Sequence, residues 1–321
     1  MKQYPNKSSQ INEGKIFKII KKDFSKLAPF YYSLISNWLI RAYNNFKDVD
    51  KFIIIIYLIN KDLIFFRRNG LVIDYDTFYR EKTVEIEKIN ISDISKDLGI
   101  PKETVRRKII ELEKLGAIRK NGKKIFIDRS AFKTAQAKDT LKDVSILLNE
   151  FNKLLIKQKI NISNFQINDI SNSIKENFSF CWYQFYKFLI IFTNRWRKEL
   201  NDLETFCIGF LVMLNAAHTK SFRVKDLNLK NYQKNVMSAD DVGLNAMSIS
   251  DITGIPRPTV VRKIKFLIKN DYLNINPKKL IFIDIKGKAF KRSIDLQDQN
   301  ILSLSNFIYR VFNQIKIINA N

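Results

Sequence analysis

Apolar residues recur every three or four positions along most of the chain, which is the spacing of one face of an α-helix. Two long stretches, residues 30–59 and residues 178–217, are apolar enough to form buried helical pairs. Residues 137–157 and residues 299–317 carry narrower apolar stripes, which are typical of amphipathic helices. Strand-like apolar runs are short. The pattern therefore predicts a mainly helical fold with small β elements.

The chain also repeats itself. Residues 94–109 and residues 249–264 agree at ten of sixteen aligned positions, with an offset of 155 and no gap. With one residue of slip, the run Ile-Phe-Ile-Asp at residues 125–128 recurs at residues 281–284. Each copy follows one of the long apolar stretches and precedes one of the amphipathic ones. The similarity therefore indicates two related halves rather than two isolated motifs.

Each copy has the pattern of two short helices joined by a tight turn. The turn falls at Gly99 and Gly254, where a positive φ is cheap only for glycine. Pro101 and Pro256 then open the second helix, where a missing N–H is harmless. The buried stripe expected on the second helix is Val105, Ile109 and Leu112 in copy one and Val260, Ile264 and Leu267 in copy two.

A hairpin is predicted directly after each second helix. In copy one, Asn121-Gly122 separates two strand-like runs, and Asn-Gly favours a type I′ turn because both central residues need φ > 0. In copy two, the connection at residues 276–279 is longer. Basic residues lie at both hairpins.

A helix-turn-helix followed at once by a basic hairpin resembles the winged helix-turn-helix superfamily, typified by bacterial transcription regulators. The resemblance covers residues 89–133 and residues 244–292, although residues 69–88 form a longer approach to the first motif than is usual. It implies a mainly α fold with small β-wings, in which tandem winged helix-turn-helix domains are flanked by long helices in a pseudo-two-fold duplication. It further implies binding to double-stranded DNA, with the second helix in the major groove and the wing on the backbone or minor groove.

The same resemblance sets the expected domains. Residues 1–28 are expected to form a basic N-terminal tail, and residues 29–158 a helical pair, the first motif and its following helix. Residues 159–173, rich in Asn and Ser towards their end, are expected to form a linker. Residues 174–318 repeat the first unit. The helices after the motifs either pack on their own unit or pair across the repeat, so the chain is expected to be a monomeric pseudo-dimer or a homodimer.

Residues off the buried stripe of the second helix are expected to face the DNA. Arginine matches the guanine O6/N7 edge, whereas lysine more often neutralises phosphate. Arg107 aligns with Arg262, but Arg106 aligns with Val261, so we expect two half-sites that are similar but not identical. The candidate DNA-binding residues are Lys102, Thr104, Arg106, Arg107 and Lys108, with Arg119, Lys120, Lys123 and Lys124 on the first wing, and Arg257, Thr259, Val261, Arg262 and Lys263, with Lys278 and Lys279 on the second wing.

The charge distribution supports a polyanionic partner. The chain has 321 residues and a formal net charge of +24. Residues 99–133 carry eleven bases and four acids, and residues 254–292 carry eleven bases and two acids, so these two segments hold about two thirds of the net charge. The abundance of Ile, Lys and Asn, typical of AT-rich coding, accounts for the diffuse remainder but not for this concentration.

The inventory of reactive residues argues against an enzyme. The chain has one histidine and two cysteines, Cys181 and Cys207, both in apolar stretches, and no glycine-rich phosphate loop. We therefore expect no catalytic group, no metal and no cofactor. The longest apolar runs, residues 52–59 and residues 206–214, fall short of the roughly 20 residues of a membrane span, which leads us to expect no membrane partner and a cytoplasmic, nucleoid-associated location.

Four functions remain open at this point. The first is a sequence-specific transcription regulator. The second is a plasmid-type replication initiator, a class that also resembles tandem winged helices. The third is a winged-helix interaction or scaffold subunit of a chromosome-organising assembly, although the charge on both second helices argues against it. The fourth is RNA binding.

Overall fold

The computed structural model describes residues 10–86, 90–121, 124–131, 137–160, 165–217, 226–236, 243–284 and 286–319. The fold is mainly helical with two small antiparallel sheets, as predicted. The first half contains α1 (Glu13–Lys22), α2 (Phe24–Phe46), α3 (Val49–Arg68), α4 (Tyr75–Arg80), β1 (Thr83–Ile86), α5 (Ile91–Leu98), α6 (Lys102–Lys114), β2 (Ile118–Asn121), β3 (Lys124–Asp128) and α7 (Ala137–Lys157). The second half contains α8 (Ile167–Glu176), α9 (Phe178–Leu200), α10 (Leu203–Ala217), α11 (Leu229–Val236), α12 (Ala246–Thr253), α13 (Arg257–Lys269), β4 (Leu273–Ile275), β5 (Ile281–Ile283) and α14 (Lys288–Ile318).

The long helical pairs are joined by matching tight corners. Between α2 and α3, Lys47 has φ 52° and Asp48 caps α3 by accepting a hydrogen bond from the Lys51 backbone N–H at 3.1 Å. Between α9 and α10, Asn201 has φ 67°, and the Thr205 backbone N–H donates to the Asp202 carboxylate at 2.7 Å. Lys47 and Asn201 are 154 residues apart, and so are Asp48 and Asp202. The two corners therefore occupy equivalent positions in the two halves.

The sheets follow the hairpins that the sequence predicts. In the first half, β3 lies between β1 and β2, and all pairings are antiparallel. In the second half, β4 pairs with β5, and a single antiparallel bridge from Leu244 to Ile281 occupies the place of β1. We call β1, α5, α6, β2 and β3 head 1, and Leu244, α12, α13, β4 and β5 head 2.

The two halves exchange contacts symmetrically around a shared core. Helix α7 packs on α2 of its own half and on α8 of the other, and α14 packs on α9 and on α1 in the same way. Helix α3 packs on α9, and α10 packs on α2. Phe151 of α7 meets Phe312 of α14 edge-on at 5.6 Å between ring centroids. Helices α7 and α14, which follow the two motifs, therefore satisfy both alternatives that the sequence left open. Each packs on its own half and also on the other half.

Two segments differ from the sequence-based expectation. Residues 13–22, placed in a basic tail, form helix α1, whose Ile16, Ile19 and Ile20 are buried. Residues 167–173, placed in a linker, belong to helix α8, which buries Ile170 and Ile174. In both segments the apolar residues lie on one face among polar neighbours, and the opposite half of the molecule covers that face. Residues 161–164 of the expected linker lie outside the described residues.

The long aromatic helices form the interior. Phe178 stacks on Trp182 at 4.8 Å, and Phe188 of α9 stacks on Phe307 of α14 at 5.7 Å. Among the described helices, none is by itself long and apolar enough to cross a membrane. Helices α9 and α10 pass that test only as a pair, bent by 94°, and most of their apolar side chains are buried.

Candidate nucleic-acid interface

The turn between the two short helices has the same geometry in both heads. Gly99 has φ 62° and Gly254 has φ 71°, as the sequence predicts for a turn that closes at glycine. The Ser95 hydroxyl donates to the Ile100 carbonyl at 2.7 Å, and the Ser250 hydroxyl makes the same bond in head 2 at 2.7 Å. These serines therefore fasten the turn in the same way in both heads.

The predicted buried stripes are confirmed. Val105, Ile109 and Leu112 of α6 are all buried, and so are their three counterparts on α13. The two prolines before these helices act as N-cap residues, with φ −54° and extended ψ, rather than as the first helical residues. The stripe fixes which sides of α6 and α13 face outwards.

The outward side of each second helix carries most of the predicted cations. Arg107 has 69 % and Arg106 54 % of its side chain exposed. Lys102, Arg257 and Arg262 are also exposed. Thr104, Thr259 and Val261 are half-buried at the edge of this surface. The exposed residues of α6 and α13, together with the two hairpins, form the candidate interface.

Two of the predicted contact residues point the other way. Lys108 is buried, and its ammonium group contacts the carboxylate of Asp48 and lies 3.7 Å from that of Asp50. Lys263 lies 2.7 Å from Asp202 and donates to the Thr205 hydroxyl at 3.1 Å. The expectation that these lysines face DNA is therefore wrong. They are identical in the two copies because each ties its head to the corner of the long helical pair behind it.

The two anchoring corners contact each other. The Val49 backbone N–H donates to the Glu204 carboxylate at 3.1 Å, and burial raises the pKa of that carboxyl. The Arg197 guanidinium of α9 lies 2.6 Å from the Asp50 carboxylate of α3. Since Lys108 and Lys263 bind at these corners, both heads are anchored at adjoining points of the core. Their exposed helices are thus held in a fixed relation on one chain.

The cations of head 1 are largely paired with carboxylates. Arg119 lies 3.0 Å from Asp128, Lys120 lies 2.9 Å from Glu113, and Lys124 lies 2.9 Å from a carboxylate oxygen of Glu85. On α6, Arg106 and Arg107 lie 3.7 Å and 3.8 Å from glutamates one helical turn away. All five remain about half exposed or more, so they are accessible to an anion. Lys123 lies outside the described residues.

Head 2 has a different charge arrangement. Arg257, Arg262, Lys278 and Lys279 are exposed, and no carboxylate of the described residues lies within 4 Å of them. Lys265, also exposed and unpaired within that part of the chain, follows Arg262 by three residues on the same helix. The sequence-based set omitted Lys265, whose aligned residue is Ile110. Lys265 lies about one helical turn after Arg262, and this spacing could have identified Lys265 as part of the same surface.

Neither a metal cluster nor a reactive thiol is found among the described residues. They contain no group of three or more His, Cys, Asp or Glu side chains suited to a metal ion. Cys181 and Cys207 are buried free thiols, and burial raises the pKa of each to about 12. Both thiols therefore stay protonated near neutral pH, which disfavours nucleophilic chemistry.

Comparison of the chain with protein-family models, with curated proteins and with solved structures finds no match.

Proposed function

We propose that the chain is a sequence-specific double-stranded DNA-binding protein that reads two related half-sites with two winged helix-turn-helix heads. The observation that carries the proposal is the matched pair Arg107 and Arg262. These arginines occupy the same position on the second helix of two similar heads, and both are exposed. An arginine at this place presents a fork that fits the guanine edge in the major groove.

The arrangement of elements supports this proposal. In head 1 a strand, two helices and a hairpin follow in order, and the first strand joins the hairpin at β3. Head 2 keeps the order, with the Leu244 bridge in place of the first strand. In proteins with this layout the second helix enters the major groove while the hairpin lies against the backbone. The basic residues of both hairpins suit that contact.

The anchoring of the heads supports reading of two sites at once. Lys108 and Lys263 hold the two heads on adjoining corners of one core. One chain therefore carries two DNA-reading heads, as a two-fold dimer of regulators does with two chains. A transcription regulator acting on the nucleoid in the cytoplasm is the role that we propose for such a protein.

The proposal is tested by measuring the binding of three single variants to DNA selected by the wild-type chain. Arg107→Ala and Arg262→Ala should each weaken specific binding by about 1–3 kcal/mol if each arginine contacts a guanine. Lys153→Ala removes an exposed cation on α7 and serves as the charge-matched control. Equal losses in all three variants, or equal losses on random DNA, would contradict base reading by these arginines.

A further inference from the structure

A cavity of about 130 Å³ lies between the core and head 2. Its wall is contributed by α2, α9, α10, α11 and α14 on the core side and by α13, β4, β5 and the residue before β4 on the head side. Tyr31 and Phe206 are representative of the core wall, and Leu267 and Ile283 of the head wall. An engineered cavity of about 150 Å³ in another protein binds benzene, so this volume suits a one-ring molecule.

One lining position differs from its counterpart in the first half. Gly209 of α10 lines the cavity, and a Cβ at that position would lie 3.5 Å from the Leu267 side chain. The aligned residue in α3 is Ile55, which is fully buried. A glycine inside a helix lowers helix stability by roughly 1 kcal/mol relative to alanine. The chain therefore carries a residue unfavourable for a helix at a position that lines the cavity and faces Leu267.

The lining is apolar and uncharged, with a few neutral polar groups. Tyr31, Tyr32, Gln233, Ser293 and Gln297 contribute hydroxyl and amide groups, and no lining residue carries a charge. Burial raises the pKa of both tyrosine hydroxyls, which keeps them neutral. A charged ligand would lose its hydration here, and no charged side chain in the lining would replace it.

The cavity adjoins the contacts that hold head 2 to α9. The Tyr272 hydroxyl, at the start of the hairpin, donates to the Glu199 carboxylate, and Arg292 of α14 donates to the same carboxylate at 2.7 Å. Tyr272 also lines the cavity. The residue aligned with it in head 1 is Ala117, so head 1 lacks this tie. A molecule in the cavity would therefore lie against Tyr272, whose contact with Glu199 helps to position head 2.

We propose that this cavity binds a neutral one-ring aromatic molecule, and that binding changes the position of head 2. The consequence for DNA affinity rests on the proposed function, whereas ligand binding itself does not. The probes for the test are 4-methylphenol and 4-methylbenzoate, which share a ring and a methyl group but differ in charge at neutral pH.

Calorimetric titration of the full chain tests the site. We expect 4-methylphenol to bind one to one and about tenfold or more tighter than 4-methylbenzoate, because only the charged probe is penalised by desolvation. Gly209→Ala should weaken its binding and Gly209→Leu should abolish it, while Leu211→Phe, on the same helix outside the lining, leaves it unchanged. Gly209→Ala adds a methyl at an ordinary contact distance, so it serves as the folded variant if Gly209→Leu does not fold. Equal binding of both probes, or undiminished binding by Gly209→Ala, overturns the site.

A second measurement tests the link to DNA. Saturating 4-methylphenol should change the DNA affinity of the wild-type chain and leave that of Gly209→Leu or Gly209→Ala less affected. If the probe binds and DNA affinity stays the same, the link is overturned and the site stands. If the chain binds no DNA, the proposed function fails, and the titration still decides the site.

Discussion

Head 1 and head 2 share a helix pair, a turn glycine and an anchoring lysine, yet they differ in how their charges are held. Head 1 has a three-stranded sheet, and five of its exposed cations have a carboxylate within 4 Å. Head 2 has a two-stranded sheet with one bridge, and its exposed cations have no such partner among the described residues. Duplication has thus kept the scaffold while the surface has changed.

This difference suggests a division of labour. Exposed ion pairs are weak, so the cations of head 1 can still bind phosphate, but the acids beside them lower the local positive potential. Head 2 should attract DNA more strongly and over a longer distance. On the proposed function, we expect head 1, whose arginines lie beside glutamates, to contribute more to discrimination among sequences than to the electrostatic part of the affinity.

The largest expected effect concerns the anchors. Lys108→Met leaves the carboxylate of Asp48 without its buried partner, whereas Asp50 keeps Arg197, so we expect the free energy of unfolding to fall by about 3 kcal/mol. Lys263→Met should cost about 1 kcal/mol, because Asp202 is one third exposed. Urea unfolding measures both, with Lys102→Met as the exposed control. An equal loss of unfolding free energy in Lys108→Met and Lys263→Met would contradict the expectation that head 1 is anchored more strongly than head 2.

The next effect concerns affinity for the selected DNA. Arg262→Ala and Arg107→Ala should each weaken binding by about 1–3 kcal/mol, and the loss on random DNA should be smaller. Because no carboxylate holds Arg262, we expect its removal to reduce random-DNA binding more than removal of Arg107. Fluorescence anisotropy on both kinds of duplex separates the two contributions. A larger random-DNA loss for Arg107→Ala would reverse the proposed division of labour.

A smaller effect concerns the salt dependence. If about six to eight phosphates are neutralised, log K should fall with log salt at a slope of roughly −5 to −7. Lys278→Ala with Lys279→Ala should make the slope shallower by about 1 per lost phosphate contact. Lys120→Ala with Lys124→Ala should change it less, since these lysines already pair with glutamates. An identical change in both double variants would mean that the ion pairs do not matter.

A further effect is a pH dependence of stability that arises in α3, behind head 1. Burial raises the pKa of the Asp62 carboxyl to about 6, whereas the aligned residue in the second half is Ala216. Because the folded-state pKa lies above the unfolded value near 4, the folded chain keeps a proton that the unfolded chain loses. Stability attributable to this group therefore falls as pH rises from about 4 to about 6. Asp62→Asn should remove that part of the slope in urea unfolding across this range, and an unchanged slope would contradict the assignment.

The sequence predicted those features that depend on local spacing. The stripe of Val105, Ile109 and Leu112 and the turn at Gly99 followed from helical periodicity and from the conformational freedom of glycine. The long helical pairs followed from their continuous apolar content. The copy-to-copy match made the layout of the second half predictable from that of the first.

The features that depend on distant partners were not predictable in this way. Lys108 lies among arginines on a basic helix, and its carboxylate partners precede it by about 60 residues. Helix α1 packs on α14, about 300 residues later, so its lysines suggested a tail. The cavity beside Gly209 depends on how head 2 meets the core, which no local pattern records.

Selection of duplexes from a random pool by the purified chain tests the central claim most directly. We expect a motif of two related but non-identical halves, with Arg107→Ala erasing the information in one half and Arg262→Ala that in the other. Insertion of about 5 bp between the halves turns them to opposite faces of the duplex and should abolish joint binding. A perfect palindrome, a single half-site, or no enrichment of any duplex would contradict the account.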